Sequence, residues 1–95
     1  MEPFHLPITD VLDLHTFRPS ELPMLIEDYL EACLDQGFAS VRIVHGKGKG
    51  ILRDRLYRLL ERDPRVRSFH PAPPDAGGWG AVIVVLEPGR PPAQD

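Results

Sequence analysis

Apolar residues along the chain recur with two different periods, and the alternation between the two predicts the elements. Leu22, Leu25, Ile26, Tyr29, Leu30, Cys33 and Leu34 recur at helical offsets of three and four, which puts them on one face of a helix. Pro19 and Ser20 mark its start, with Ser20 as a natural N-cap. Gly37 suits the position just past its end. A second helical stripe, Ile51, Leu52, Leu56, Leu59 and Leu60, lies within GILRDRLYRLLERDP (50–64) and is stopped by Pro64.

Four short runs read as strands: VLDL (11–14), VRIV (41–44), VRSF (66–69) and AVIVVL (81–86). PAPPDAGGWG (71–80) is a loop by composition. Residues 1–9 carry two prolines and no clear period, as an extended lead-in does, and residues 88–95 are too proline-rich and polar to pack and read as a flexible tail. The domain proper is expected over 10–87.

The resulting order, β-α-β-α-β-β, predicts an α/β fold: a two-layer sandwich with two helices on a mixed four-stranded sheet. The two strand-helix-strand units imply parallel pairing through right-handed crossovers, and the last strand, reached without a helix, is expected to be antiparallel. AVIVVL is apolar at every position, as a strand covered on both faces would be. Either the lead-in, through Phe4, Leu6 and Ile8, or a partner is expected over the second face.

At 95 residues and 42% apolar content the chain suits one ordinary globular domain. Its single cysteine excludes an internal disulfide, and zinc-ligand spacings are absent. Cys33 falls on the apolar stripe and is expected in the core. No apolar run resembles a secretion signal or a membrane span, so a cytoplasmic protein without a membrane partner is expected.

The net charge of −3 hides a strong polarity. Residues 1–41 hold eight acids against Arg18 alone, whereas residues 42–67 hold nine bases against three acids. Both lysines of the chain, Lys47 and Lys49, lie in the loop HGKGKG (45–50).

That loop follows one strand and opens a helix. A helix N-terminus presents unpaired N–H groups and the positive end of its dipole, and glycines allow an anion close to the backbone. Gly46, Lys47, Gly48, Lys49, Gly50 and Arg53 are therefore candidate phosphate-binding residues. The spacing matches neither nucleotide-binding glycine fingerprint. With Arg55 and Arg58 extending the charge along the helix, a polyanion backbone fits better than a mononucleotide.

If the first two strands are parallel neighbours, their carboxyl ends share an edge, where open α/β sheets bind ligands. Asp13, His15 and His45 would then converge there as candidate catalytic residues, the imidazoles exchanging protons near neutral pH and the carboxylate orienting a ring. Where water has to serve as a nucleophile, a divalent metal ion would activate it, although a carboxylate and two imidazoles make a sparse site for one. The plainer readings make Asp13 a turn cap, His45 a core histidine and the arginines a solvated helix face. Trp79 and Phe17 are candidates for stacking on bases, with covering the core edge the favoured reading for Trp79.

LDLH (12–15), HGKGKG (45–50) and GGWGAVIVVL (77–86), in this order and with a helix after each of the first two, resemble the small MutS-related (Smr) domain, here a stand-alone one. The resemblance covers roughly residues 10–87. It implies a fold like the C-terminal domain of translation initiation factor three, nucleic-acid binding, and in several members endonuclease activity on DNA or RNA. It also implies a ribosome-linked or repair-linked setting. The family's D-x-H maps to Asp13 and His15, and its H-G-x-G-x-G to His45, Gly46, Gly48 and Gly50. Thr16 and Phe17 stand where the family's first motif commonly continues with glycine. The expected function is a nuclease on RNA or structured DNA. The alternatives are a module that binds nucleic acid without cleaving it, or a binder of a phosphorylated metabolite or a protein.

Overall fold

The computed structural model describes residues 8–87. Phe4, Leu6 and His5 of the lead-in, and the tail, lie outside the described residues. The elements are β1 (Val11–Asp13), α1 (Leu22–Gln36), β2 (Ser40–Val44), α2 (Ile51–Arg62), β3 (Val66–Pro71) and β4 (Ala81–Leu86), with short 3-10 turns at Pro19–Glu21, Pro74–Ala76 and Gly78–Gly80. Both helices and the mixed four-stranded sheet stand as expected.

The strand order is β1-β2-β4-β3. β1 pairs with β2 in parallel, Asp13 opposite Val44, while β4 is antiparallel to both β2 and β3. The expected β2–β3 pairing does not form. β3 runs in the same direction as β2, but β4 is inserted between them, so both β4 partners are antiparallel.

Alternation fixes which side chains reach the core. Leu12 and Leu14, Val41 and Ile43, and Val82, Val84 and Leu86 are buried on the helix side, against Leu22, Ile26, Tyr29, Leu30 and Cys33 of α1 and Leu56 and Leu60 of α2. Burial pushes the Cys33 thiol up to about 11, so it behaves as a small apolar filler.

The other sheet face is only half-buried. Arg42 lies between Val11 and Ile83 in the register and donates from Nη1 to the Ala76 carbonyl at 3.0 Å, drawing the 72–80 loop across. The lead-in takes another course where it is described: Ile8 packs against the helix-side core, and the Tyr29 hydroxyl donates to the Thr9 carbonyl at 2.7 Å.

Ser20 does not cap α1. The Pro19–Glu21 turn runs directly into the helix, and the Glu21 carboxylate accepts the Arg18 backbone N–H at 2.7 Å. Gly37 ends α1 at φ +81°, where the N–H groups of Gly37 and Phe38 reach the carbonyls of Leu34 and Cys33. At the other end of the helix layer Arg65 bonds Asp63 at 2.7 Å, Glu27 at 2.9 Å and Glu31 at 3.5 Å, tying the start of β3 to α1. Arg65 holds the Asp63 carboxyl below its ordinary value.

Candidate nucleic-acid interface

The parallel β1–β2 pairing brings the LDLH and HGKGKG motifs to one sheet edge. The Leu14 N–H donates to the Val44 carbonyl at 2.8 Å, extending the ladder past Asp13. Adjacent strands lie about 4.8 Å apart, so the backbone of His15 runs close beside the start of the glycine loop.

Asp13 and His15 form a unit. The Asp13 Oδ1 accepts both the backbone N–H of His15 at 2.9 Å and the ring Nδ1–H at 3.0 Å. These bonds, the backbone one foremost, hold the Asp13 carboxyl below its ordinary value. An ionised carboxylate only accepts, so it fixes the tautomer: Nδ1 carries the proton and Nε2 keeps its lone pair. The side chains are 75% and 53% exposed for His15 and Asp13, which leaves that lone pair available at the rim.

His45 is placed differently. It continues the alternation of Val41 and Ile43 and turns toward the helix side, only 6% exposed. Its ring meets Tyr57 of α2 edge-on at 6.3 Å, and Tyr57 in turn meets Phe69 of β3 at 5.0 Å. Nδ1 donates to the Gly46 carbonyl at 2.8 Å, and Nε2 is buried without a partner among the described residues. Burial pushes the ring toward its neutral form, only partly opposed by the Gly46 bond, and the charge of Arg53 acts in the same direction as burial. Asp13 and His15 therefore meet; His45 lies on the opposite face of the sheet, beneath the loop that it begins.

The third motif completes the rim. The Gly80 carbonyl accepts the N–H groups of His45 at 2.8 Å and Gly46 at 2.9 Å. A Cβ at Gly80 would lie 3.1 Å from Lys47 Cγ and 3.3 Å from the Gly46 carbonyl carbon, so a larger residue here would crowd the loop and require its neighbours to give way. Gly50, the residue before α2, takes φ +87°, and the Arg53 guanidinium folds back over it. A hollow of about 290 Å³ results, lined by Gly46, Lys47, Gly48, Gly50, Arg53 and Trp79. Lys49 is exposed beside it but is not part of its lining.

Trp79 is the residue whose favoured sequence reading fails. It is 74% exposed and lines the hollow instead of covering the core. The signal was a tryptophan between glycines in a loop, where nothing larger than hydrogen is available on either side to bury it. Phe17 packs partly against the core, and His70 is exposed on β3.

The basic segment divides by use. Arg42 and Arg65 are committed to internal contacts and Arg53 pairs with Asp54 at 3.3 Å. Arg55, Arg58 and Arg62 line a separate groove of about 320 Å³ with Pro19, Leu22, Pro23 and Leu59, between the start of α1 and α2.

Residues 12–87 match the Smr domain. The chain belongs to the Smr domain family. It is 37% identical over 82 residues to the ribosome rescue factor SmrB of Shewanella baltica, a match covering 86% of this chain and 47% of that protein. It is 39% identical over 77 residues to the endonuclease MutS2 of Thermus thermophilus, covering 81% of this chain and 10% of that one. The chain thus spans about half the length of the first relative and a small part of the second. The crystal structure of the Smr domain of Thermus thermophilus MutS2 superposes with a TM-score of 0.78 at 37% identity, over 83% of this chain and 99% of that one. YdaL, a stand-alone small MutS-related protein from Escherichia coli, superposes with a TM-score of 0.76 at 29% identity, over 81% of this chain and 63% of that one. Among the described residues no helix is long and apolar enough to cross a membrane.

Proposed function

We propose that this Smr domain is an endonuclease that binds nucleic acid through its glycine hollow and cleaves phosphodiester bonds, with RNA as the favoured substrate and structured DNA as the other. The observation that carries the reading is the Asp13–His15 pair, closed at 3.0 Å and exposed, on the sheet edge that also holds the cationic hollow. Relatives that include an endonuclease and a ribosome rescue factor support it. A ribosome-linked or repair-linked setting in the cytoplasm belongs to the same proposal.

The chemistry follows from the tautomer. Asp13 holds the Nδ1 proton, so the His15 Nε2 acts as general base and takes the proton from an RNA 2′-hydroxyl. That oxygen attacks the adjacent phosphorus, the bond to the 5′-oxygen breaks, and the leaving oxygen takes a proton from water. A 2′,3′-cyclic phosphate and a free 5′-hydroxyl result. Asp13 stabilises the imidazolium formed at His15, while Lys47, Arg53 and the loop amides offset the phosphate charge. An imidazole–carboxylate pair suffices where the substrate brings its own nucleophile, which is why RNA is favoured. DNA needs water in that role.

A divalent ion would add Lewis-acid chemistry and an activated water. Among the described residues no group of three or more His, Cys, Asp or Glu side chains is placed to hold one, and no step here is routed through a metal. His45, with Nε2 buried, is assigned the role of positioning the loop through its bond to Gly46. Lys49 adds charge near the phosphate.

A second reading, binding without cleavage, rests on Thr16. It is exposed next to the pair, where the family commonly has glycine, although no described non-glycine residue has positive φ, so the turn itself does not require glycine. Cleavage of labelled RNA and DNA, single-stranded, duplex and branched, with and without EDTA, separates the readings. The double change Asp13→Ala and His15→Ala is expected to abolish cleavage while binding persists. Cleavage at the original rate in that variant would remove the assignment, and wild-type protein that binds but never cleaves would establish the second reading.

A further inference from the structure

The mechanism above uses the charge and the bare backbone of the hollow but leaves its largest side chain idle. We propose that Trp79 is a stacking platform for an unpaired nucleobase beside the bound phosphate, so that the rim selects single-stranded over duplex nucleic acid. The proposal rests on the phosphate-binding reading of the hollow and adds to it the class of strand that is accepted.

Three observations carry it. First, an indole 74% exposed leaves a broad apolar face in water, on a protein whose other aromatic residues in the described core, Tyr29, Tyr57 and Phe69, are packed. Second, its position is built. The Gly80 N–H donates to the Gly77 carbonyl at 3.0 Å and the Gly78 N–H to the Pro73 carbonyl at 3.0 Å, and the Gly80 carbonyl is bonded twice to the glycine loop. Trp79 therefore stands on a turn tied down on both sides, with glycine neighbours that carry no side chain to cover it. Third, the same hollow is lined by Lys47 and Arg53.

A cation, bare amides and a flat aromatic face within one small concavity match a ligand that carries a phosphate and a planar ring close together. A nucleotide does so. In a duplex the base faces are occupied by neighbouring bases, so an indole can stack only on a base that is unpaired or at a strand end. Stacking is tolerant of base identity because every base has a π-face. The rim would therefore discriminate by strandedness more than by sequence.

Trp79 is the only tryptophan of the chain, so its emission reports on this position alone. The 95-residue chain is titrated at low salt with a labelled eight-nucleotide single-stranded RNA, the corresponding duplex, and a sugar-phosphate oligomer of the same length without bases. Anisotropy reads binding and Trp79 emission reads stacking. Single-stranded RNA is expected to bind most tightly and to change the emission, whereas the base-free oligomer binds more weakly and leaves it unchanged. Trp79→Ala should weaken binding of the single-stranded RNA about 5- to 150-fold, with Trp79→Phe restoring most of the loss. Lys47→Ala should weaken RNA and base-free oligomer alike. Trp79 and Lys47 are exposed, so both variants are expected to fold, which circular dichroism checks.

If RNA binds with no change in emission, or the base-free oligomer binds as tightly as RNA, or Trp79→Ala binds like wild type, the stacking role is overturned. The phosphate reading would still stand if Lys47→Ala weakens binding. If no oligomer binds at all, both fall. Loss of binding to a protein partner in Trp79→Ala, with RNA affinity unchanged, would reassign the indole as a protein-interaction anchor and overturn the proposal.

Discussion

Two histidines sit at the ends of two neighbouring parallel strands, and their surroundings give them opposite characters. His15 lies in water with its Nδ1 bonded to a carboxylate; His45 lies under α2 with its Nδ1 bonded to a backbone carbonyl. Both bonds fix the same tautomer, yet only at His15 does the remaining lone pair reach solvent. The difference comes from side-chain alternation. Asp13 and His15 are two residues apart and share the half-covered face, whereas His45 shares its face with Val41 and Ile43. One imidazole is thereby open to solvent, and the other is packed against the core and bonded to the loop.

The sharpest way to break that contrast is to remove each ring in turn. His15→Ala should lower the cleavage rate by about 10²- to 10⁴-fold and leave the urea midpoint unchanged, because the side chain is exposed. His45→Ala should do the reverse in stability: loss of a packed ring and of the Gly46 bond costs about 2–4 kcal/mol, read by urea denaturation. His45→Asn, whose amide can still donate to the Gly46 carbonyl, should recover part of it. A His45→Ala protein that is as stable as wild type but inactive would reverse the two assignments.

Acid sharpens the contrast further. Because burial depresses the His45 pKa, the unfolded chain binds this proton more readily than the folded one. The stability tied to a neutral His45 is therefore complete above the ordinary histidine value of about 6.5 and is lost as pH falls through the lower folded value. The melting temperature of the wild type should decline across that window, and His45→Asn should flatten the decline. Asp13 and Asp63 also have lowered pKa values. Their contributions are present above the ordinary carboxylate range and are lost as pH falls through their lower folded values, so in a pH series of thermal melts the histidine loss begins at higher pH than the carboxylate loss.

Thr16→Gly is the smallest change. With no positive φ at stake and the side chain exposed, stability should shift by no more than about 1 kcal/mol. The informative quantity is cleavage: a clear rise would identify Thr16 as a steric brake beside the Asp13–His15 pair, and no change would clear it of that role.

Much of this organisation was legible in the chain because it is written in local periods. The two helical stripes, the Gly37 stop and the four strand segments depend on residues within a turn or two of each other. What could not be read depends on distant partners. Nothing in VRSF or AVIVVL says that β4 enters between β2 and β3, since that choice lies in registers spanning half the domain. Nor does PAPPDAGGWG reveal that Arg42 will draw the loop over the second sheet face, or that Gly80 will dock on Gly46. Ser20 failed as a cap because the 3-10 turn satisfied the helix entrance through Glu21 instead. The burial of His45 was readable all along. VRIVH places Val41, Ile43 and His45 on one face by a count of two, which favours the core-histidine reading of its burial.

The strand order has one more consequence. β4, the last of the four described strands in chain order, fills an interior place in the sheet and, among the described residues, bridges β2 and β3. A nascent chain that has emerged only through β3 thus has the β1–β2 pair and a β3 segment without its ladder partner, and the early helices have an incomplete floor to settle on. Completion of the fold waits on Ala81–Leu86, and the assembly of the cradle waits with it, because the segment that clasps the loop is the one leading directly into that strand. The central β4 pairings join residues far apart in sequence, so closure of the sheet is a late, non-local event in folding.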